Sequence, residues 1–341
     1  MRIAKRALPK IEVITSAWNE EDCLDELFMR LERVFEAESS YEWSITIFDN
    51  GSKDSTWEII KKNANSRRNL RGIRMSRNFS LDAALSCGIE ISDADAVILM
   101  ASDLQDPPET IPILLRKFEQ GYDQVLVKVI SRRHVPFIRR FMSNAFYRFA
   151  NNLTAGLLPE KVSDFRLMNK KSYKALALLK ERHRFLRGLT AWIGFESSIV
   201  EIERPKRHAG SSKWMQTNIL SVINSALTGI YTLSARPLFW VAGLGLVSSF
   251  VSLFFLIALS VWWLIGNEPP FRGFGTIFGL VSLGFSLTIL AIGIVAQYLA
   301  LVYEEVKGRP IYLVSQTINI DEKTFAYQVR NLALDFGKTS K

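Results

Sequence analysis

The chain has 341 residues, a formal net charge of +9 and two cysteines. That length allows an ordinary globular domain and something more, while the isolated Cys23 and Cys87 lack metal-ligand spacing and read as reduced, structural thiols. The positive charge invites nucleic acid, but the cations gather beside two long apolar stretches, so an anionic membrane surface is the expected partner and nucleic acid is not.

In chain order, Ile11–Thr15 is a short strand running into the polar turn Ser16–Asp22, and a helix follows with Leu24, Leu27, Phe28, Leu31 and Phe35 at helical spacing. Asn19 and Glu20 at this junction are candidates for a nucleotide base or ribose; helix N-terminal charge is an equal reading of Glu20 and the better one of Glu21 and Asp22. Trp43–Phe48 is a second strand, and it too ends in a polar turn, Asp49–Thr56. Asp49 suits hydrogen bonds from a uracil or ribose, whereas Asp54 suits a cap on the helix starting near Thr56. Two strands that end in acidic turns, each followed by a helix, indicate a parallel βαβ sheet with its polar loops on one edge. Leu70–Met75 is a third strand, leading through Ser76, Arg77, Asn78 and Phe79 to a helix over Leu81–Glu90.

The fourth strand, Ala96–Met100, ends in Ala101-Ser102-Asp103-Leu104-Gln105-Asp106-Pro107-Pro108. Two carboxylates, an amide and a proline stop after a buried strand place oxygen donors at the carboxyl edge of a sheet, where open α/β sheets bind ligands. Such donors suit Mg²⁺ or Mn²⁺ shared with a substrate diphosphate. Asp106 before Pro107 also reads as a helix cap. A helix over Pro112–Gln120 and a strand over Gln124–Val129 continue one α/β domain.

From Ser131 the character changes. Arg132–Phe149 interleaves arginines with aromatic residues, the composition of a helix at a bilayer interface, an amphipathic helix on the sheet being the other reading. Val162–Met168 is strand-like, which puts Asp164 and Arg166 on one face. Cations follow at Arg187, Arg207 and Lys213, the last two flanking a flexible Gly210–Ser212 segment suited to closing over phosphates.

No charged residue lies between Arg236 and Glu268, nor between Arg272 and Glu304. Each gap exceeds the ~20 residues that cross a bilayer as a helix, and the link between them is short enough only for a hairpin. Cations at Arg204, Lys206, Arg207, Lys213 and Arg236 before it, and at Lys307 and Arg309 after it, place both termini in the cytoplasm. The basic start Met1–Arg6 leads into a strand pattern and not a signal segment. The expected organisation is an α/β domain over 1–215, an amphipathic interface helix over 216–236, spans over 237–265 and 274–303 joined by an extracytoplasmic link over 266–273, and a cytoplasmic tail over 304–341. A two-helix hairpin also leaves room for homo-oligomers.

With Asn19-Glu20-Glu21, Asp49-Asn50-Gly51-Ser52-Lys53-Asp54, Ser76-Arg77-Asn78-Phe79, Asp103-Leu104-Gln105-Asp106-Pro107-Pro108, Asp164-Phe165-Arg166-Leu167-Met168, Arg184-Phe185-Leu186-Arg187-Gly188-Leu189 and Ala209-Gly210-Ser211-Ser212-Lys213 in this order before a two-span hairpin, the chain resembles the polyprenyl-phosphate glycosyltransferases of glycosyltransferase family 2. The resemblance covers about residues 10 to 315. It implies a GT-A, Rossmann-like, mostly parallel sheet followed by interface helices and a transmembrane hairpin. It also implies inverting transfer of a sugar from a nucleotide sugar, UDP-linked, to polyprenyl (undecaprenyl) phosphate at the cytoplasmic face of the plasma membrane. The product would be a lipid-linked sugar donor for surface glycan or lipid modification.

The same resemblance implies that Asn19, Glu20, Asp49, Arg77 and Asp103 contact the nucleotide sugar, that Asp103 and Gln105 hold the metal, that Asp103, Asp164 and Arg166 are catalytic, and that Arg187, Arg207 and Lys213 neutralise phosphate. Three positions depart from the family pattern: Ala101 stands where Asp-x-Asp has its first acid, Asn50 where a second acid is usual, and Ser80 where a glycine is usual. Ala101 implies a weakly held metal or greater reliance on the basic residues. The rival reading is a non-catalytic, membrane-anchored binding or assembly subunit.

Overall fold

The computed structural model describes residues 8–131, 151, 162–182, 184–205, 236–241, scattered positions from 243 to 265, and 274–320. The expected interface helices over 132–149 and 216–236, the cations Arg207 and Lys213, and the tail beyond 320 lie outside the described residues, 236 apart. Two compact units are present, one of Met1–Tyr147, Leu157–Asn218 and Pro310–Lys341, the other of Arg148–Gly156 and Ile219–Arg309.

The first unit is built on eight strands: β1 (Lys10–Ala17), β2 (Glu42–Asp49), β3 (Leu70–Met75), β4 (Ala96–Ala101), β5 (Gln124–Ser131), β6 (Val162–Asn169), β7 (Ser197–Glu203) and β8 (Val314–Ile318), in the spatial order β7-β5-β6-β4-β1-β2-β3-β8. The central strands are near-continuous apolar runs because both faces of the sheet are covered. Alternate residues of β1 show this: Ile11 and Val13 join one core cluster, and Ile14 joins the other.

The first face is covered by α1 (Glu21–Ala37), α2 (Thr56–Ser66) and α4 (Ile111–Glu119), which is preceded by a 3-10 turn over Pro108–Thr110. Helix α1 buries Leu24, Leu27, Phe28, Leu31 and Val34, a stripe at spacings of three and four. Truncating one of these, Leu27→Ala for example, costs about 2–5 kcal/mol. The opposite face carries α3 (Leu81–Ile91), α5 (Lys170–Leu178) and α6 (Leu186–Trp192). Gly88 lets α3 lie close on β1, since a Cβ there would sit 2.4 Å from Cγ2 of Ile14.

The expected mostly parallel sheet is a mixed one. Strands β1, β2, β3 and β4 run parallel, as do β5 and β7, but β6 is antiparallel to both β4 and β5, and β8 is antiparallel to β3. Neither β7 nor β8 was expected, and β8 makes part of the assigned tail an edge strand of the sheet. Helix α3 runs as expected, and β1, β2, β4 and β5 extend one or two residues beyond their apolar runs.

In the second unit, α7 (Phe274–Val306) is a 33-residue helix. Its window Gly284–Val306 has a mean hydropathy of 2.1, so among the described residues one helix is long and apolar enough to cross a membrane. Ile277, Val281, Phe285 and Leu299 are all more than half exposed on it. Of the first expected span, only scattered residues are described, and the two-helix hairpin is not established.

Candidate active site

Parallel strands bring the ends of β1, β2, β3 and β4 to one sheet edge, and the loops there carry Asn19 and Glu20, Asp49, Arg77 and Asp103. Strand β6 enters from the same edge, because it is antiparallel to β4 with Leu99 opposite Arg166. Extending that register by two residues brings Asp164 level with Ala101. The neighbouring carboxyl ends of β1 and β4, which feed crossovers in opposite directions, form the crevice in which open sheets bind ligands.

The first two loops lock each other. Asn19, held in the left-handed region at φ 53°, accepts the Lys53 amide at 2.9 Å through Oδ1 and donates its own amide to Ser52 Oγ at 2.9 Å. The Glu20 amide donates to Thr56 Oγ1 at 2.9 Å. Asp54 accepts the amides of Thr56 and Glu21, at 3.1 and 3.3 Å, as its expected capping work requires. Asp49 is fully buried; its Oδ1 accepts the Ser52 amide at 2.9 Å. Its Oδ2 lies 3.1 Å from Arg74 Nε without hydrogen-bond alignment, so this buried oxygen has no donor among the described residues. A buried acceptor that is ion-paired with Arg74 yet accepts no aligned hydrogen bond can still take a donor from a ligand.

The third loop is tied in by Asn50, whose Nδ2 donates to the Ser80 carbonyl at 3.0 Å while Oδ1 accepts the Phe79 amide at 3.0 Å. Gly51, at φ 73°, allows this close approach: a Cβ would stand 2.7 Å from the Arg77 carbonyl carbon. Arg77 itself lies over the Phe79 ring at 4.0 Å and donates to the Asn78 carbonyl. Ser80 caps α3 by accepting the Ala83 amide at 3.1 Å.

After β4 the chain turns through Leu104, whose φ is 61°, a conformation that costs about 1–2 kcal/mol for an L residue. Its side chain is buried in the core, which holds the turn. Asp103 Oδ1 accepts the Gln105 amide at 3.1 Å, and Ser102 Oγ ties the turn to β1 by donating to the Ser16 carbonyl at 2.8 Å. Asp106 does not cap the following helix. It is fully buried, accepting the Ala101 amide at 3.1 Å, Ser163 Oγ at 3.2 Å and Arg204 Nη2 at 2.6 Å, and so fastens the turn to β6 and to the residue after β7. No group of three or more His, Cys, Asp or Glu converges among the described residues. Asp106 is committed to the Ala101 amide, Ser163 and Arg204, and Asp103 is the other carboxylate of this turn. One carboxylate with substrate phosphates is a donor set that fits Mg²⁺ or Mn²⁺.

Across the edge, Arg187 in the first turn of α6 grips Asp164 with Nε to Oδ1 at 2.7 Å and Nη2 to Oδ2 at 2.6 Å. Arg166 is nearly fully buried and donates to the Asp164 carbonyl at 3.1 Å, the Ser163 carbonyl at 2.9 Å and Thr190 Oγ1 at 2.5 Å. Burial works to raise the Asp164 carboxyl, but the Arg187 hydrogen bonds and the charges of Arg187, Arg166 and Arg204 hold it below its ordinary value. Asp82, in the first turn of α3, goes the other way: burial first, then the charge of Asp164, push it up to about 7 against Arg187, Arg166 and a Leu186 backbone contact. Two neighbouring carboxyls with affinities pushed apart are a pattern of acid–base sites. Asp82 carries no motif that marks it in the sequence. Its signal was a lone acid in the otherwise apolar stretch Leu81-Asp82-Ala83-Ala84-Leu85.

The sheet is mixed and GT-A-like, with acidic and basic groups gathered on one edge. Residues 12–177 match the family Glycosyl transferase family 2. The chain is 36% identical over 309 residues to an uncharacterized glycosyltransferase of Synechocystis sp., covering 90% of this chain and 95% of that one. It is 34% identical to the prophage-derived bactoprenol glucosyl transferase of Shigella flexneri, with 90% and 98% covered, and 33% identical to the prophage bactoprenol glucosyl transferase homolog of Escherichia coli, with 90% and 99% covered. The chain belongs to glycosyltransferase family 2 and is a transferase that moves a glycosyl group from a nucleotide sugar. The non-catalytic alternative is set aside.

Proposed function

We propose that the protein transfers a sugar from a UDP-linked donor to undecaprenyl phosphate at the cytoplasmic face of the plasma membrane, with inversion at the anomeric carbon. The observation that carries the reading is the Asp164–Arg187 pair standing on the same sheet edge as Asp103, in a chain whose relatives include bactoprenol glucosyl transferases. The long apolar α7 and the two-span organisation expected from the sequence fit an acceptor that stays in the bilayer.

In this reading Asn19, Glu20, Asp49, Arg77 and Asp103 hold the nucleotide sugar, with the open Oδ2 of Asp49 taking a donor of the base or ribose. Asp103 and Gln105 would hold Mg²⁺ or Mn²⁺, which when bound supplies positive charge to the leaving diphosphate. The acceptor phosphate has a second pKa near 6 and is already largely anionic at neutral pH. Asp164 therefore orients groups instead of removing a proton, and Arg166 fixes the backbone that carries it. Arg187, together with Arg207 and Lys213 from the segment that follows Arg204, neutralises phosphate charge, the main catalytic task.

The test uses membranes containing the full chain, undecaprenyl phosphate and a panel of radiolabelled nucleotide sugars, with and without Mg²⁺ or Mn²⁺. Label should enter the extracted lipid from one donor and be lost in Asp103→Ala. A panel that labels no lipid, while a bactoprenol glucosyl transferase control does, overturns the proposal.

A further inference from the structure

On the α3–α6 side of the sheet lies a buried ionic cluster that the transfer chemistry leaves unused. Glu90, in the last turn of α3, accepts Arg184 Nη1 at 2.8 Å through Oε1 and the Tyr312 hydroxyl at 2.7 Å through Oε2. The Arg184 and Glu90 side chains are 4% and 6% exposed, and Tyr312 is buried in the same cluster as Leu186 and Leu189. Burial, and the adjacent Cys87 and Glu90, push the Tyr312 phenol up, which keeps it in its donating form.

The three partners come from distant parts of the chain. Arg184 stands two residues before α6 and three before Arg187, which holds Asp164. Tyr312 lies six residues beyond the end of the long apolar helix and two before β8. The amide of Ser76, on the Arg77 loop, donates to the Leu313 carbonyl at 2.9 Å.

We propose that Glu90 is a positioning residue: through Arg184 it sets the first turn of α6, and hence Arg187 against Asp164, and Tyr312 completes it, so that chain emerging from the apolar helix forms part of the acceptor side of the site. The proposal rests on the transfer reading above and adds the residues that shape its acceptor side. A charged pair this deeply enclosed leaves a costly unpaired group when one partner is removed, so its geometry is held tightly. The hydroxyl of Tyr312 donates to Glu90 beside the Cys87 thiol, and Tyr312→Phe removes that one oxygen while keeping the buried ring.

Tyr312→Phe, Glu90→Gln and the double variant, each as full chain in proteoliposomes, test it by two readouts. Amide exchange of Leu186–Leu189 should rise about tenfold in each single variant while β1 and β2 stay protected. With the donor that labels lipid in the panel above, kcat/KM for undecaprenyl phosphate should fall about tenfold with KM for the donor unchanged, and the double variant should be no worse than the worse single one. Unchanged exchange at α6, exchange raised equally throughout the sheet, or a donor KM that moves with the acceptor term would overturn it. If the wild-type chain transfers nothing, the transfer reading fails, and the exchange data still decide whether Glu90 and Tyr312 set α6.

Discussion

Both carboxylate oxygens of Asp164 are taken by Arg187, through Nε and Nη2, in a fork that a lysine cannot reproduce. Arg187→Lys should keep the charge and lose the geometry. The expected cost in stability is about 1.5 kcal/mol, the low end for a bond to a charged group because the guanidinium is 38% exposed. Transfer should fall by about 10²-fold, as misplacement near the chemistry does. A variant with near wild-type turnover would remove Arg187 from the site.

The single carboxylate at Asp103 makes a gain-of-function substitution available. Ala101→Asp restores an acid two residues earlier, and because Asp106 is held by the Ala101 backbone amide, the turn should survive. The concentration of Mg²⁺ giving half-maximal transfer should drop by about tenfold, following ligand charge count. No change in metal response would mean that position 101 does not face the cation.

Asp82 should leave a signature in stability. Its folded value of about 7 lies above the ordinary 3.8, so between those values the folded chain keeps a proton that the unfolded chain has lost. This contribution is present in full below the ordinary value and is lost as pH rises through 7. Asp82→Asn removes the slope. Measured from pH 5 to pH 8 in detergent, the melting temperature of the variant should gain about 5–10 °C on wild type toward the upper end, since two pH units of linkage amount to about 2.7 kcal/mol. Parallel curves would show that Asp82 titrates normally. Asp164 has the opposite sign, since its depressed value contributes stability that is lost only as pH falls into the carboxyl range.

The side-chain amide of Asn50 both donates and accepts, work that an acid cannot do. Asn50→Asp would set a carboxylate against the Ser80 carbonyl in place of a donor. A loss of about 1–3 kcal/mol is expected in denaturant unfolding, together with weaker nucleotide-sugar binding as the Gly51 turn loosens. Unaltered stability would show that the two loops are held by other contacts.

The parts of the fold that were legible in the sequence are those whose pattern is local. Strands β1 to β5 are apolar runs with polar stops, and parallel pairing sends those stops to one edge, so Asn19, Asp49 and Asp103 read as neighbours from the sequence alone. Strand β7 buries only Val200 well, and β8 is the short, mostly polar Val314–Ile318, so neither carries a periodic signal. The antiparallel direction of β6 is a matter of long-range pairing. The roles of Asp106, Asp82 and Glu90 depend on partners such as Arg204, Asp164 and Tyr312, up to 222 residues away, and spacing alone cannot supply those.

Strand β8 also sets a timetable for folding. Ser315 donates to the Arg74 carbonyl across 241 positions of chain, so the edge of β3 stays open until the whole apolar helix has been made. At about 5–20 residues per second, that is roughly 12–48 s of synthesis. Through that interval an unpaired strand edge is exposed to other nascent chains. Completion of the catalytic sheet is thereby made conditional on completion of the helix, and a chain that stalls within it leaves the ribosome with an unfinished edge.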